Sequence, residues 1–149
     1  MEKDSYRKPK ILIVDDTPAN QDLFRQAFEM AGFQVLVSGE AEGNFAEAVA
    51  QFSPDIISMD IMIGESKWGE EGRDGFDAIR LLKENPESAK VPIIVMTNFF
   101  EDSKVELAKE LGVVDYVNLQ SHSIQKIPEI FLTYLANKDN YIAVHPSFR

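Results

Sequence analysis

The stretch KILIVDD, residues Lys10–Asp16, decides the fold class. Its centre, ILIV at residues 11–14, is a run of apolar and mostly β-branched residues with no polar alternation. Such a run is typical of a short strand that is buried on both faces, as in a parallel sheet covered by helices. The run ends in two adjacent carboxylates. This stretch therefore predicts a sheet with acidic side chains at the carboxyl end of one strand.

Further strand-length apolar runs follow along the chain, and stretches with helical spacing separate them. We expect strands at residues 10–14, 33–37, 55–59, 91–96 and 113–119. The stretches between them repeat apolar residues every three or four positions, as Phe24, Phe28 and Ala31 do. Strands that alternate with helices predict an α/β fold, in which five β–α units build a doubly wound parallel sheet.

Local signals set the expected ends of the later helices. Asp74–Gly75 precedes the third helix and Asn85–Pro86 follows it. The fourth helix is expected from about residue 102 to residue 111, where Gly112 can adopt a left-handed cap. The fifth is expected at residues 128–136, with Pro128 as its first residue.

The composition fits one globular domain in a cytoplasmic protein. The chain has 149 residues, of which 44% are hydrophobic and 27% are charged, so a single core is expected. It has no cysteine, which excludes disulfides and thiolate metal sites, and no signal-peptide or membrane-spanning run. Its net charge of −10 opposes binding to nucleic acid or anionic membranes. We therefore expect its partners to be proteins.

Polar side chains stand directly after three of the predicted strands. Asp15 and Asp16 follow the first strand, Asp60 follows the third and Thr97 follows the fourth. Because ligands of a doubly wound sheet bind outside the carboxyl ends of the strands, we expect these side chains to meet. Clustered carboxylates repel one another unless a cation compensates, and oxygen ligands of this kind suit Mg²⁺. A cation held there would allow an anionic carboxylate to approach a phosphoryl donor.

Each of these residues also has a purely structural interpretation. Asp16 or Thr17 followed by Pro18 is a common helix start, in which a side chain caps the helix. Asp60 alone is compatible with a turn, and Thr97 alone is a good strand residue. A cap does not require a second acid after the third strand and a hydroxyl after the fourth, so the set as a whole favours a site.

Four motifs in order, KILIVDD, ISMDIMI, VPIIVMT and DYV, together resemble the receiver domain of two-component response regulators. The resemblance covers residues 10–135. It implies a flavodoxin-like fold with strand order 2-1-3-4-5. It also implies a phosphoacceptor signalling domain, not an enzyme, which promotes its own phosphoryl transfer and dephosphorylation. A histidine kinase or histidine phosphotransfer protein would donate the phosphoryl group in a phosphorelay, and a downstream protein would be the target.

The resemblance assigns a role to each matching position. Asp60 corresponds to the phosphoacceptor, Thr97 to the switch hydroxyl, and Tyr116 to the aromatic residue that turns inward when Thr97 moves. The divalent cation, Mg²⁺ or Mn²⁺, would be held by Asp15, Asp16, Asp60 and the backbone carbonyl of Met62. The output surface would be formed by the fourth helix, the fifth strand and the fifth helix.

The chain departs from the family pattern in several places. Leu119–Gln120 replaces the usual Lys–Pro pair, so the lysine that would contact the phosphoryl group is missing. Residues 64–73, GESKWGEEGR, form an acidic inserted loop after the third strand, in which Trp68 either contacts a partner or holds the loop in place. An extension at residues 1–9 and a tail at residues 137–149 flank the receiver domain at residues 10–136.

Other functions remain to be weighed. A pseudo-receiver, which would bind proteins without being phosphorylated, is favoured by Leu119. A flavodoxin-like cofactor protein needs a Gly/Ser/Thr-rich loop after the first strand, and a haloacid-dehalogenase phosphatase needs Asp-x-Asp there. The sequence DDTPAN at residues 15–20 offers neither. His122 and His145 are far apart in sequence and predict no zinc site.

Overall fold

Parallel strands in the order β2-β1-β3-β4-β5 form one five-stranded sheet in the computed structural model of the chain. The structure describes residues 7–39, 45–61, 74–98 and 101–149. The strands are β1 (Lys10–Val14), β2 (Gln34–Ser38), β3 (Ile56–Met59), β4 (Ile93–Thr97) and β5 (Asp115–Asn118). The predicted doubly wound α/β fold and its strand order are confirmed.

Helices cover both faces of this sheet. They are α1 (Pro18–Met30), α2 (Phe45–Phe52), α3 (Gly75–Glu84), α4 (Asp102–Glu110) and α5 (Ile127–Ala136). Phe24 and Phe28 of α1 pack with Phe131 of α5 in one buried cluster. Side chains of α2, α3 and α4 join a second buried cluster, which also contains Tyr116 of β5. The alternation of side chains along each strand supplies both clusters.

The ends of several elements differ from the predicted ones. The fourth strand begins at Ile93 instead of Val91, because Val91 closes a turn by donating its amide to the Ser88 carbonyl, 3.1 Å away. Helix α5 begins at Ile127, which makes Pro128 its second residue. Proline is tolerated there because the first turn of a helix has amides without intrahelical partners. Strand β2 is shifted by one residue, β3 begins one residue later than predicted, and β5 is shorter by two residues at its start and by one at its end.

Two predicted helix signals have the expected geometry. The Asp74 side chain accepts a hydrogen bond from the Asp77 amide, and the Asp77 side chain accepts one from the Asp74 amide. This reciprocal capping box fixes the start of α3. Gly112 follows α4 with a φ of 83°, a left-handed conformation that suits glycine.

The segment after α5 contains two short 3-10 turns, Lys138–Asn140 and Pro146–Phe148. Within the described part of the chain, no helix is both long and apolar enough to cross a membrane.

Candidate functional site

Asp15, Asp16 and Asp60 meet at the carboxyl edge of the sheet. Val14 of β1 is paired with Met59 of β3, so the residues that follow these two are neighbours. The Asp60 amide donates to the Val14 carbonyl over 3.0 Å, which extends the pairing to the acidic residues. One carboxylate oxygen from each aspartate lies within 4.8 Å of the others. The structure thus brings together the three acids that the sequence placed at the strand ends.

The first turn of α1 holds Asp15 in place. The Asp15 carboxylate accepts hydrogen bonds from the Thr17 amide at 2.9 Å and from the Asn20 side chain at 3.4 Å. The Gln21 side-chain amide donates to the Asp15 carbonyl over 2.6 Å. Thr17 is the N-cap residue and Pro18 follows it, as expected, but no side-chain hydrogen bond caps this helix. The side chain of Asp15 therefore belongs to the site, although it also orders the start of α1.

Asp15 is 1% exposed, which is costly for a carboxylate. Burial raises the pKa of Asp15, hydrogen bonds from Thr17 and Asn20 oppose the increase, and the charge of Asp16 adds to it. A nearby cation would favour the charged form of this group. The environment of Asp15 thus fits a site that is electrostatically incomplete without a cation.

Thr97, the last residue of β4, contacts Asp60 directly. Its hydroxyl donates to a carboxylate oxygen of Asp60 over 3.2 Å, and Thr97 is 0% exposed. A buried hydroxyl beside this carboxylate can follow a change in its charge or size by changing its hydrogen bond. The structure therefore places the predicted switch hydroxyl next to the predicted phosphoacceptor.

Gly75 is the first residue of α3 and lies against the backbone that carries Asp60. A Cβ atom built on Gly75 would lie 2.4 Å from the Asp60 carbonyl oxygen and 2.4 Å from the Ile61 Cα. The Gly75 amide donates to the Ile61 carbonyl over 3.0 Å. Only glycine lets α3 begin this close to the acidic cluster.

Tyr116 points into the protein and is 1% exposed. Burial raises the pKa of the Tyr116 phenol, and the negative charges of Asp60 and Glu101 raise it further, so the phenol is neutral at physiological pH. Its ring contacts His145 and Phe148, with centroid distances of 5.7 and 6.4 Å. The aromatic position predicted from the resemblance is therefore inward in this structure.

Leu119 has a packing role at the position of the missing lysine. Its side chain packs against the buried cluster that contains Val117 and Ile127, and its amide donates to the Thr97 carbonyl over 2.9 Å. Two basic side chains follow in the same loop. His122 has its Nδ1 atom 3.1 Å from the Asn118 carbonyl oxygen, and Lys126 is exposed.

Several predicted features lie outside the described residues, namely Met62, the inserted loop at residues 64–73, and Trp68 within it. Conversely, the sequence analysis assigned no role in the site to Asn20, Gln21 or Gly75. Their signal is weak, because the start PANQ of α1 and the Asp–Gly start of α3 look like ordinary helix beginnings.

The acidic cluster has the ligand chemistry of a site for a hard divalent cation. Mg²⁺ prefers oxygen ligands, binds through one or two carboxylates in many sites, and keeps several waters. Asp16 and Asp60 are only partly buried, which leaves room for water and for a phosphoryl group. The residues present thus fit Mg²⁺ or Mn²⁺, and Asp15, Asp16 and Asp60 would hold it.

Known proteins resemble this chain over most of its length. The sequence-family model described as the response regulator receiver domain matches residues 11–127 of this chain. The protein PilH of Pseudomonas aeruginosa is 32% identical over 108 residues, which are 72% of this chain and 83% of PilH. A protein of Vibrio cholerae named "Probable cyclic di-GMP phosphodiesterase" is 30% identical over 86% of this chain, but the match spans only 27% of that protein.

The fold is also found in solved structures. The Vibrio cholerae chemotaxis protein CheY4 superposes with a TM-score of 0.69 at 18% identity, and the match covers 87% of this chain and 98% of CheY4. At that identity the likeness concerns the fold alone.

Proposed function

This chain belongs to the response regulator receiver domain family, and from that premise we propose that Asp60 accepts a phosphoryl group in two-component signalling. The donor is a histidine kinase or a histidine phosphotransfer protein. The observation that carries the proposal is the juxtaposition of Asp60 with Asp15 and Asp16 on one side and the Thr97 hydroxyl on the other.

The transfer requires little covalent chemistry from the protein. A carboxylate oxygen of Asp60 forms a bond to phosphorus, the bond from phosphorus to the donor breaks, and the donor leaves with that electron pair. Asp60 is held for this by its place directly after β3, by the hydrogen bond that its amide donates to the Val14 carbonyl, and by the close packing of Gly75 against its backbone. Thr97 then donates its hydroxyl hydrogen bond to the new phosphoryl group.

The cation site has one role in this reaction. Mg²⁺ or Mn²⁺, when bound, neutralises the charge that the phosphoryl oxygens and the carboxylates bring together. Asp15 and Asp16 supply ligands from the end of β1, and Met62 would add its backbone carbonyl by family analogy. Asn20 and Gln21 orient Asp15 from the next helix.

We further propose that phosphorylation shifts Thr97 and Tyr116 only weakly. A hydrogen bond to a charged group contributes about 1.5–3 kcal/mol, and a conformational switch needs a differential interaction of that order. Leu119 provides no such contact, because its side chain lies in the apolar cluster beside Val117. The phosphorylated state thus lacks one interaction that would distinguish it.

The proposed domain spans residues 10–136, with the insertion at residues 64–73. Its output is a protein contact through the face formed by α4, β5 and α5. The net charge of −10 disfavours direct binding to nucleic acid or anionic membranes.

A second function, that of a pseudo-receiver, is favoured by Leu119 alone. In that case the domain would bind its partner without being phosphorylated. The two functions differ in a single measurable property, which is whether Asp60 is modified.

Intact-protein mass spectrometry after incubation with acetyl phosphate and Mg²⁺ tests the proposal. Wild type should gain one phosphoryl group, Asp60→Asn should gain none, and EDTA should abolish the gain. Asp22→Asn, which removes an exposed acid on α1, should be labelled like wild type. If wild type stays unmodified under conditions that label an ordinary receiver domain, the pseudo-receiver function replaces this proposal.

A further inference from the structure

The segment after α5, residues 137–149, folds back onto the protein. Three of its donors form hydrogen bonds with one buried carboxylate, that of Asp115. Asp115, the first residue of β5, is 0% exposed. Its carboxylate accepts from the Val144 amide at 2.7 Å and from the His145 amide at 3.0 Å. The Tyr141 hydroxyl donates to the same carboxylate, and the amide of Tyr116 supplies a further bond at 2.7 Å.

These donors stabilise a buried negative charge at the edge of the sheet. A buried carboxylate is costly unless hydrogen bonds satisfy it. Three of the described donors to Asp115 come from residues 141–145, so withdrawal of that segment would expose the carboxylate to solvent. Burial, and then the hydrogen bond to Asp115, raise the pKa of Tyr141, so this phenol remains a donor at physiological pH.

Aromatic contacts also hold residues 141–149 against the protein. Tyr116 contacts both His145 and Phe148, and these two rings contact each other with centroids 5.8 Å apart. Phe148 packs against the buried cluster that contains Tyr116, and Ala143 is 3% exposed. The segment therefore covers the ring at the predicted switch position and the carboxylate beside it.

The attachment is local. The backbone-to-backbone hydrogen bonds within residues 137–149 connect near neighbours, as in the two 3-10 turns, and the segment contributes no strand to the five-stranded sheet. A pocket of about 400 Å³ remains beside it, lined by Tyr116, Asn118, Ser121, His122 and His145 among others. Ile142 is 75% exposed. A segment held through the Asp115 carboxylate and the rings of Tyr116 and Tyr134 can leave without unfolding a sheet or a helix.

We infer that Asp115 and Tyr116 form a peptide-docking surface that the chain's own residues 141–149 occupy in this structure. A partner protein reaches the surface by displacing this segment. The partner does so with an extended peptide that offers the same donors as this segment. These donors are an aromatic hydroxyl followed by backbone N–H groups, which together form hydrogen bonds to the Asp115 carboxylate. Docking of the segment requires no phosphoryl group at Asp60, so this inference can be tested independently of the phosphorylation proposed above.

The first test weakens the segment within the full-length chain and leaves the surface intact. Tyr141→Phe removes one donor to Asp115, and Tyr134→Phe removes a hydroxyl from the neighbouring ring, which contacts Tyr141 at 5.2 Å. Amide hydrogen exchange at Val144 and His145 should be about tenfold faster in Tyr141→Phe, the size expected for one hydrogen bond to a charged group. It should be unchanged in Tyr134→Phe. Equal exchange in wild type and Tyr141→Phe would overturn the inference.

The second test supplies the segment from outside. The double variant Tyr141→Phe/Val144→Pro removes two donors, and an unlabelled peptide of residues 138–149 is titrated into the ¹⁵N-labelled full chain. Peptide-induced shifts at Asp115 and Tyr116 should occur at a concentration at least about tenfold lower than in wild type, where the attached segment competes. A peptide with phenylalanine in place of Tyr141 should bind more weakly.

Two results would contradict displaceable docking in the second test. One is an absence of peptide-induced shifts in the double variant, and the other is equal binding to wild type and to the double variant. A concentration-dependent dimer of wild type in which exchange at Val144 slows on dimerisation would assign the surface to a second copy and would also overturn the inference. Asp115→Asn serves only as a further check, because loss of a buried carboxylate can unfold the chain.

Discussion

At the scale of single residues, the acidic cluster predicts that a divalent cation stabilises the fold. Asp15, Asp16 and Asp60 place carboxylate oxygens within 4.8 Å of one another, and a bound cation would relieve their mutual repulsion. A ligand that binds only the native state at about 100 times its Kd adds about 2.7 kcal/mol to the free energy of unfolding. Urea unfolding with and without Mg²⁺ should show a gain of that order in wild type.

The same urea unfolding experiment can be repeated on a matched pair of variants. Asp16→Asn should lose most of the gain from Mg²⁺, whereas Glu129→Gln, which removes an exposed charge on α5, should keep it. Equal gains in wild type and Asp16→Asn would remove Asp16 from the cation site.

Gly75 predicts a second effect that belongs to a single residue. Gly75→Ala forces a Cβ atom into the Asp60 backbone, which now lies 2.4 Å from that position, so the loop that carries Asp60 must move. We expect a loss of about 1–3 kcal/mol of stability and a rate of labelling by acetyl phosphate at least tenfold lower. Gly32→Ala strains a residue with a φ of 102° at the opposite end of the sheet and should lower stability without slowing labelling. Slowing that is equal in the two variants would show that stability alone limits the rate.

Leu119 predicts weak coupling between the site and β5. With beryllofluoride and Mg²⁺ bound as a phosphoryl mimic, NMR shifts at Thr97 and Tyr116 should be small in wild type and larger in Leu119→Lys. The variant should also be less stable, because a partly buried apolar contact is lost. Lys126→Ala and His122→Ala test whether another basic group substitutes. Full-size shifts in wild type that neither alanine variant reduces would contradict weak coupling.

At the scale of elements, the inserted loop at residues 64–73 predicts a salt-dependent rate. Its acids Glu65, Glu70 and Glu71 follow Asp60 closely in sequence and repel an anionic donor. Deletion of the loop should raise the rate of labelling by acetyl phosphate at low ionic strength and have less effect at high salt. A rate that does not change on deletion would restrict the loop to partner recognition or to no role in transfer.

The elements also show what the sequence could predict. Asp15, Asp16, Asp60 and Thr97 were found because each directly follows a buried apolar run, and parallel strands end at one edge. Asn20 and Gln21 were missed because their contacts depend on the first turn of α1 folding back over Asp15. Strand β4 starts later than predicted because its apolar run includes a turn that Pro92 follows.

At the scale of the whole molecule, the periodic part of the chain was predictable and the aperiodic part was not. Apolar periodicity indicates which faces are buried, and the alternation of strands and helices predicts a doubly wound parallel sheet, whereas the order of its strands came from the family resemblance. Residues 137–149 have no such period, so their docking on Asp115 depends on tertiary hydrogen bonds that no local pattern indicates. The family resemblance supplied the roles of the site residues, whereas Leu119 and the inserted loop at residues 64–73 depart from the family pattern.

The most direct measurement locates the phosphoryl group. After incubation with acetyl phosphate and Mg²⁺, borohydride reduction converts an aspartyl phosphate to homoserine with release of phosphate, and peptide mass spectrometry then identifies the altered residue. We predict homoserine at position 60 in wild type and in Leu119→Lys, and none in Asp60→Asn or in the presence of EDTA. Homoserine at another aspartate, or at none under conditions that convert an ordinary receiver domain, would contradict phosphorylation of Asp60.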